Sequence, residues 1–298
     1  MRNIRRERVK RMKKDIKQRM KVVKPKKDND SAQTYKDPLS IQPFKVNASK
    51  HRSPPLMEEI GLTHPFSIAL YGCSGSGKSV AACQLLCNKN MFRGFFQKIY
   101  LFSPTGKADD TFRHLGLPDD QVFTHTGRMI HELDKLVTNQ ESEASDEDDN
   151  TKLPKICIIL EDLTSQRELM KSQAFIKAFV QNRHINISTI ACCHKYKSLI
   201  PVARLNSFHS FIFPCSNTEV EAIREDFQGA GMSKDQFRLM CVLAFRGTDE
   251  MQRPFLWINN KARPDEKYRK SLSQILSIKK SDDYNENESI IENNNIGE

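Results

Sequence analysis

Across the middle of the chain, short apolar runs alternate with longer stretches in which apolar positions recur every three or four residues. The runs at 66–71, 95–104, 155–160 and 184–193 have the length and the β-branched or aromatic content of strands. They are continuous rather than alternating, as strands are when both faces of a sheet are covered. Shorter strand candidates stand at 121–124, 207–213 and 254–259. Helical spacing marks 80–87, 127–137, 165–182, 217–227 and 233–244, with a brief helix after Pro201. Strands alternating with helices predict an α/β domain over 61–270, a mostly parallel sheet flanked by helices. No internal repeat is visible.

The flanks break this pattern. Residues 1–27 hold fourteen Lys or Arg against Glu7 and Asp15. So basic a stretch fits contact with nucleic acid or another polyanion, and equally a solvated tail; 21–27 also resembles a nuclear-import signal. Residues 28–60 are polar, with Pro38, Pro43, Pro54 and Pro55, and read as a linker. The expectation is a largely unpacked segment over 1–60. At the other end, 281–298 carry six acidic residues and no Lys or Arg, so 271–298 is expected to be a polar, acidic tail. Within the domain, the acidic run 141–150 reads as an exposed loop insertion.

Composition agrees with this division. The apolar share is 38%, low for a chain packed throughout, and the net charge of +10 comes largely from the N-terminus. No run approaches the length of a membrane span, and the first residues carry charge without an apolar stretch, so neither a span nor a signal peptide is expected. Eight cysteines are scattered, without a C-x-x-C pair, as reduced thiols of an intracellular protein would be. Cys192, Cys193, His194 and His209 raise the question of a metal site, but their setting is that of core strands.

The candidate chemistry lies at the ends of the strands. After the run 66–71 comes Gly72-Cys73-Ser74-Gly75-Ser76-Gly77-Lys78-Ser79, the G-x-x-x-x-G-K-S phosphate-binding loop, followed by a helix. Glycines there let several backbone N–H groups converge on one phosphate, and the helix adds its positive end. Lys78 supplies a mobile charge for the β- and γ-phosphates of ATP, and the Ser79 hydroxyl a ligand for Mg²⁺. The run 156–160 ends in Glu161 and Asp162, the Walker B pattern: one acid for the Mg²⁺ shell, the next to polarise the attacking water. Strand candidates between Lys78 and Glu161 argue for a strand inserted between the P-loop strand and the Walker B strand. The run 184–193 ends in His194, where a polar side chain can reach the γ-phosphate or the water.

In this order, G-C-S-G-S-G-K-S, I-C-I-I-L-E-D, R-H-I-N-I-S, I-P-V-A-R-L-N and a late F-L-W-I-N resemble the genome-packaging ATPases of large eukaryotic DNA viruses, the poxvirus type within the FtsK/HerA superfamily. The resemblance covers about 60–270. It implies a RecA-like P-loop NTPase fold of the additional-strand, catalytic-acid type. It implies a ring of subunits, pentamer or hexamer, that drives double-stranded DNA into a preformed capsid and docks on capsid or portal-vertex proteins. The setting would be intracellular, in a virus factory or the nucleus, or associated with the virion. Carried over, Gly72, Gly77, Lys78 and Ser79 fall on the Walker A positions, Glu161 on the Mg²⁺-shell acid, Asp162 on the water-activating acid and His194 on the sensor. Arg183, with Arg204 second, falls where an arginine finger would reach a neighbour's γ-phosphate. Two positions depart from the family: Glu161 stands where Asp is common, and His194 where Gln is common. A related helicase or DNA pump, a nucleotide-binding structural protein without hydrolysis, and a small-molecule P-loop kinase are the rival readings.

Overall fold

The computed structural model describes residues 53–106, 109–146, 152–229, 231–247, 253–280 and 289–295. The basic stretch 1–27 and most of the expected linker lie outside these residues. The first element is helix α1 (Pro55–Glu59), and the sheet then begins with β1 (Ser67–Tyr71), buried along its whole length. The P-loop joins β1 to α2 (Lys78–Cys87). There follow β2 (Lys98–Phe102), α3 (Asp110–Arg113), β3 (Val122–Phe123), α4 (Thr126–Asp146) and β4 (Ile156–Leu160). Next are α5 (Arg167–Lys171), α6 (Gln173–Val180), β5 (Ile187–Cys193), α7 (Pro201–Leu205) and β6 (His209–Ile212). The chain continues through α8 (Asn217–Phe227), α9 (Lys234–Ala244), β7 (Leu256–Asn259), β8 (Tyr268–Lys270), β9 (Gln274–Lys280) and β10 (Ser289–Asn295).

The strands form one sheet in the order β10-β9-β8-β7-β6-β1-β5-β4-β2-β3. From β6 to β3 all pairs are parallel; β7 through β10 extend it antiparallel. Alternation along the strands feeds two cores. Ile68, Leu70, Cys157, Ile159, Ile190, Cys192, Phe211 and Trp257 face α1, α2 and the Phe92–Phe96 cluster. Ala69, Tyr71, Ile158, Leu160, Ala191, Cys193, Ile212 and Ile258 face α4 through α9. Each central strand is apolar on both faces because both are covered, which gives the unbroken runs of the sequence. The same alternation sends Cys192 and Cys193 to opposite sides of the sheet, so they do not form one ligand set with His194 and His209.

The architecture is the P-loop α/β fold expected, with differences in detail. A strand does separate the P-loop strand from the Walker B strand, but it is the later β5, not one lying between Lys78 and Glu161 in the chain. Those earlier strands, β2 and β3, form the outer edge instead. The acidic run read as a loop continues α4 as far as Asp146. Gln140 anchors it by donating to the carbonyls of Pro154 and Ile185, and Lys177 pairs with Glu141 at 2.7 Å. The helix expected over 165–182 is split at Ser172, whose hydroxyl caps α6 by accepting from the Phe175 amide.

The domain limits also move. Met57 and Leu62 are fully buried, and His64 bridges Ser188 and Asn186 at 2.7 Å each, so packed structure begins before residue 61. At the far end, β9 and β10 lie inside the stretch expected to be a tail. β9 pairs antiparallel with β8, and β10 with β9, so the ladder continues past residue 271.

Candidate functional site

The carboxyl ends of β1, β4 and β5 meet at one edge of the sheet. β1 ends in the P-loop. Gly77, the residue before α2, sits at φ +108°, a left-handed geometry that a side chain rarely adopts. Gly72 is needed for space: a Cβ there would lie 2.6 Å from Ser76 Oγ and 2.8 Å from Phe213 Cβ. Cys73, Ser74 and Gly75 are exposed at the rim, and Ser76 is half-buried with its hydroxyl unpaired. Lys78 is buried and folds back over the loop, its Nζ donating to the carbonyls of Gly72 and Cys73 at 2.9 Å each. The ammonium therefore sits at the loop's centre, where an incoming phosphate exchanges carbonyl partners for stronger anionic ones.

Ser79 Oγ donates to Glu161 Oε1 at 3.0 Å, which couples the first turn of α2 to the end of β4. Glu161 is 8% exposed, and its buried Oε2 has no hydrogen-bond partner among the described residues. Burial pushes its carboxyl above the ordinary range; the Cys192 thiol, Ser79 and the Lys78 charge pull it back, and the Asp109 charge adds to the rise. A hydroxyl and a carboxylate oxygen side by side, with a second carboxylate oxygen left unpaired, are the hard donors that suit Mg²⁺.

Asp162 turns away from Glu161 because its backbone is left-handed, at φ 50° and ψ 51°. Its Oδ1 lies 3.4 Å from His194 Nε2, and both side chains are about one-third exposed. Two adjacent acids thus serve two directions: Glu161 toward Ser79, Asp162 toward His194 and solvent.

The two candidate fingers are elsewhere. Arg204 Nε donates to Asp226 at 3.1 Å and its Nη1 to the Leu199 carbonyl at 3.2 Å, with its guanidinium over the Tyr196 ring. Tyr196 in turn donates to Asp226 at 2.6 Å. With its side chain 13% exposed, Arg204 is engaged inside its own subunit, a structural employment rather than the reach expected of it. Arg183 is exposed and stands before β5, at the sheet edge opposite the P-loop. It lies over Phe208 beside Lys261, which stacks on the same ring, and no carboxylate pairs with it among the described residues.

Two contacts were not legible in the sequence. Cys192 lies beside Glu161, and burial and that carboxylate push its thiol well up. Arg253 donates from Nη1 to the Gly75 carbonyl at 3.3 Å. A lone Arg before a Pro carries no motif, and only the pairing of β7 with β6 brings it to the loop.

A family model described as Poxvirus A32 protein matches residues 57–293. Among solved structures, the fold is similar to that of the genome packaging NTPase B204 from Sulfolobus turreted icosahedral virus 2. In complex with AMP that structure shows 13% identity and a TM-score of 0.48, covering 70% of this chain and 98% of that one. In complex with ATP-gammaS the values are 12% and 0.47, with the same coverage. EccC (ATPases 2 and 3) from Thermomonospora curvata is similar at 10% identity and a TM-score of 0.43, over 66% of this chain and 35% of that one. No curated protein matches the sequence.

Proposed function

The chain belongs to the poxvirus A32 protein family of genome-packaging ATPases, and we propose that it works as a ring of identical subunits whose ATP site is completed by an arginine from the next subunit. The supporting observation is a site furnished in every part but one. Lys78, Ser79, Glu161, Asp162 and His194 converge on the P-loop edge, yet among the described residues no arginine pairs with Glu161, Asp162 or His194. Arg204 is held by Asp226, whereas Arg183 is exposed at the opposite ends of the strands, with no acid paired to it among the described residues. An exposed cation at the strand ends away from the P-loop is what supports its being offered to another subunit.

In this reading the P-loop amides and Lys78 hold the β- and γ-phosphates, and Asp162 orients the attacking water in line with the γ-phosphorus. His194 holds Asp162 and reaches the same water. Ser79 and Glu161 are the residues that would hold Mg²⁺, which when bound neutralises charge on the β- and γ-phosphates. Arg183 of the neighbour stabilises the charge that develops in the transition state, a contribution on the order of 10³-fold or more. Hydrolysis then depends on assembly, and the ring couples it to movement of double-stranded DNA toward a capsid vertex. DNA is gripped through its phosphates, because a packaging motor accepts any sequence.

Mixed assemblies test the shared site. Lys78→Ala subunits keep Arg183 but lack a working P-loop; Arg183→Ala subunits have the converse defect. Each alone is expected to be inactive, and mixing them to restore DNA-stimulated phosphate release as wild-type sites form at mixed interfaces. Full activity of Arg183→Ala alone, or a mixture as dead as its parts, would overturn the arrangement.

A further inference from the structure

We infer that Arg253 binds the nucleoside end of the nucleotide held in its own subunit's P-loop. The sheet order gives the loop two unlike sides. On one side of β1 stand β5 and β4, whose ends carry His194, Glu161 and Asp162. On the other stand β6 and β7, which bring Phe213 and Arg253 to the loop. The terminal phosphates belong on the first side, toward which Ser79 is drawn by its bond to Glu161 and where Asp162 and His194 face the place of the attacking water. The rest of the nucleotide then leaves the loop on the second side, toward Arg253.

Arg253 is built for that position. Its stem crosses the loop, with Cδ 3.0 Å and Cβ 3.4 Å from where a Cβ on Gly77 would stand. Gly77 is thus doubly constrained, by its φ of +108° and by this crossing. Among the described residues the guanidinium makes one long hydrogen bond, to the Gly75 carbonyl at 3.3 Å, and it is exposed. No carboxylate among the described residues pairs with it. A guanidinium carries five N–H donors, so most remain for a ligand, and its plane stacks on aromatic faces such as a nucleobase. Phe213, buried behind Gly72 with its amide donating to the Tyr71 carbonyl at 2.8 Å, fixes the wall from which Arg253 reaches over.

The inference rests on nucleotide binding at the P-loop but not on the ring, so it is read without DNA or assembly. The parts of the nucleotide on this side are common to ATP and ADP. Calorimetric titration of the full-length chain with ADP and with a non-hydrolysable ATP analogue is expected to show both affinities falling together in Arg253→Ala, by about tenfold or more, as for loss of a charge-assisted contact. Arg253→Met, which keeps a stem over Gly77 without the charge, is expected to weaken both to the same extent, and Arg253→Lys to recover part. Loss of the analogue's affinity with ADP unaffected would move Arg253 to the γ-phosphate and overturn the inference. So would wild-type affinities in Arg253→Met, which would leave the stem as packing for the loop.

Discussion

Glu161 carries its charge against its surroundings. It is nearly buried, one of its oxygens is unpaired, and burial raises its pKa. The sign of the linkage follows. The folded chain holds this proton more tightly than the unfolded chain, so the stability tied to it is fully present below the ordinary carboxylate pKa. It is lost as pH rises through the raised value. Glu161→Gln removes the titration and keeps an oxygen for Ser79. The stability of the free variant relative to wild type is therefore expected to climb as pH rises from the ordinary carboxylate pKa through the raised one, read by thermal melts across the range. Its ATPase activity at neutral pH is expected to fall on the order of 10²-fold or more, as for loss of a charged group at developing phosphate charge.

At the scale of elements, the end of β5 is held from behind. The turn after His194 carries Tyr196, whose amide donates to Glu219 and whose hydroxyl donates to Asp226, both on α8. Arg204 from α7 closes this network, and Tyr71 of β1 packs edge-on against Tyr196 at 5.0 Å. Its job is to fix where His194 leaves the sheet. Arg204→Ala is expected to lower stability by about 2 kcal/mol, the scale of a hydrogen-bonded charge removed from a partly buried site. It should leave assembly-dependent ATPase within roughly tenfold at low temperature. Arg183→Ala is expected to do the reverse, with an unchanged melting temperature and a loss of about 10³-fold or more. Paired melting and phosphate-release measurements separate the two arginines. From sequence they look alike, each an Arg near an apolar segment, because the difference lies in Asp226, a residue 22 positions beyond Arg204 that only the packing of α8 brings near. The P-loop and the acids were legible because their chemistry is local: a loop, a helix start and a strand end are all written in consecutive residues. The strand order was half legible. Alternation of elements announced a parallel sheet, but which strand lies between β1 and β4 depends on the path of the chain, and spacing does not record it. The continuation of α4 through an acidic run was hidden for a similar reason: Lys177 and the carbonyls that hold it are distant in sequence.

For the whole molecule, the charge is divided by position. The folded domain places its cations at named sites, Lys78 at the P-loop, Arg253 across it and Arg183 with Lys261 on the opposite edge. The largest store of positive charge, fourteen Lys or Arg, lies in residues 1–27, outside the described residues. A motor that grips any duplex by its phosphates releases counterions in proportion to the contacts made, with log K falling by about 0.9 per phosphate for each unit of log salt. If the tail supplies a large part of that grip, duplex affinity measured on the full chain falls steeply with salt. A chain lacking residues 1–27 then binds more weakly at low salt and with a visibly shallower slope. Its nucleotide affinity should be untouched, since the P-loop, Glu161 and Arg253 lie on the domain. Because phosphate contacts carry no sequence information, two duplexes of unrelated sequence should give the same slope. DNA affinities and slopes that coincide for the two chains would assign the grip to the domain's own cations, and the tail to another partner.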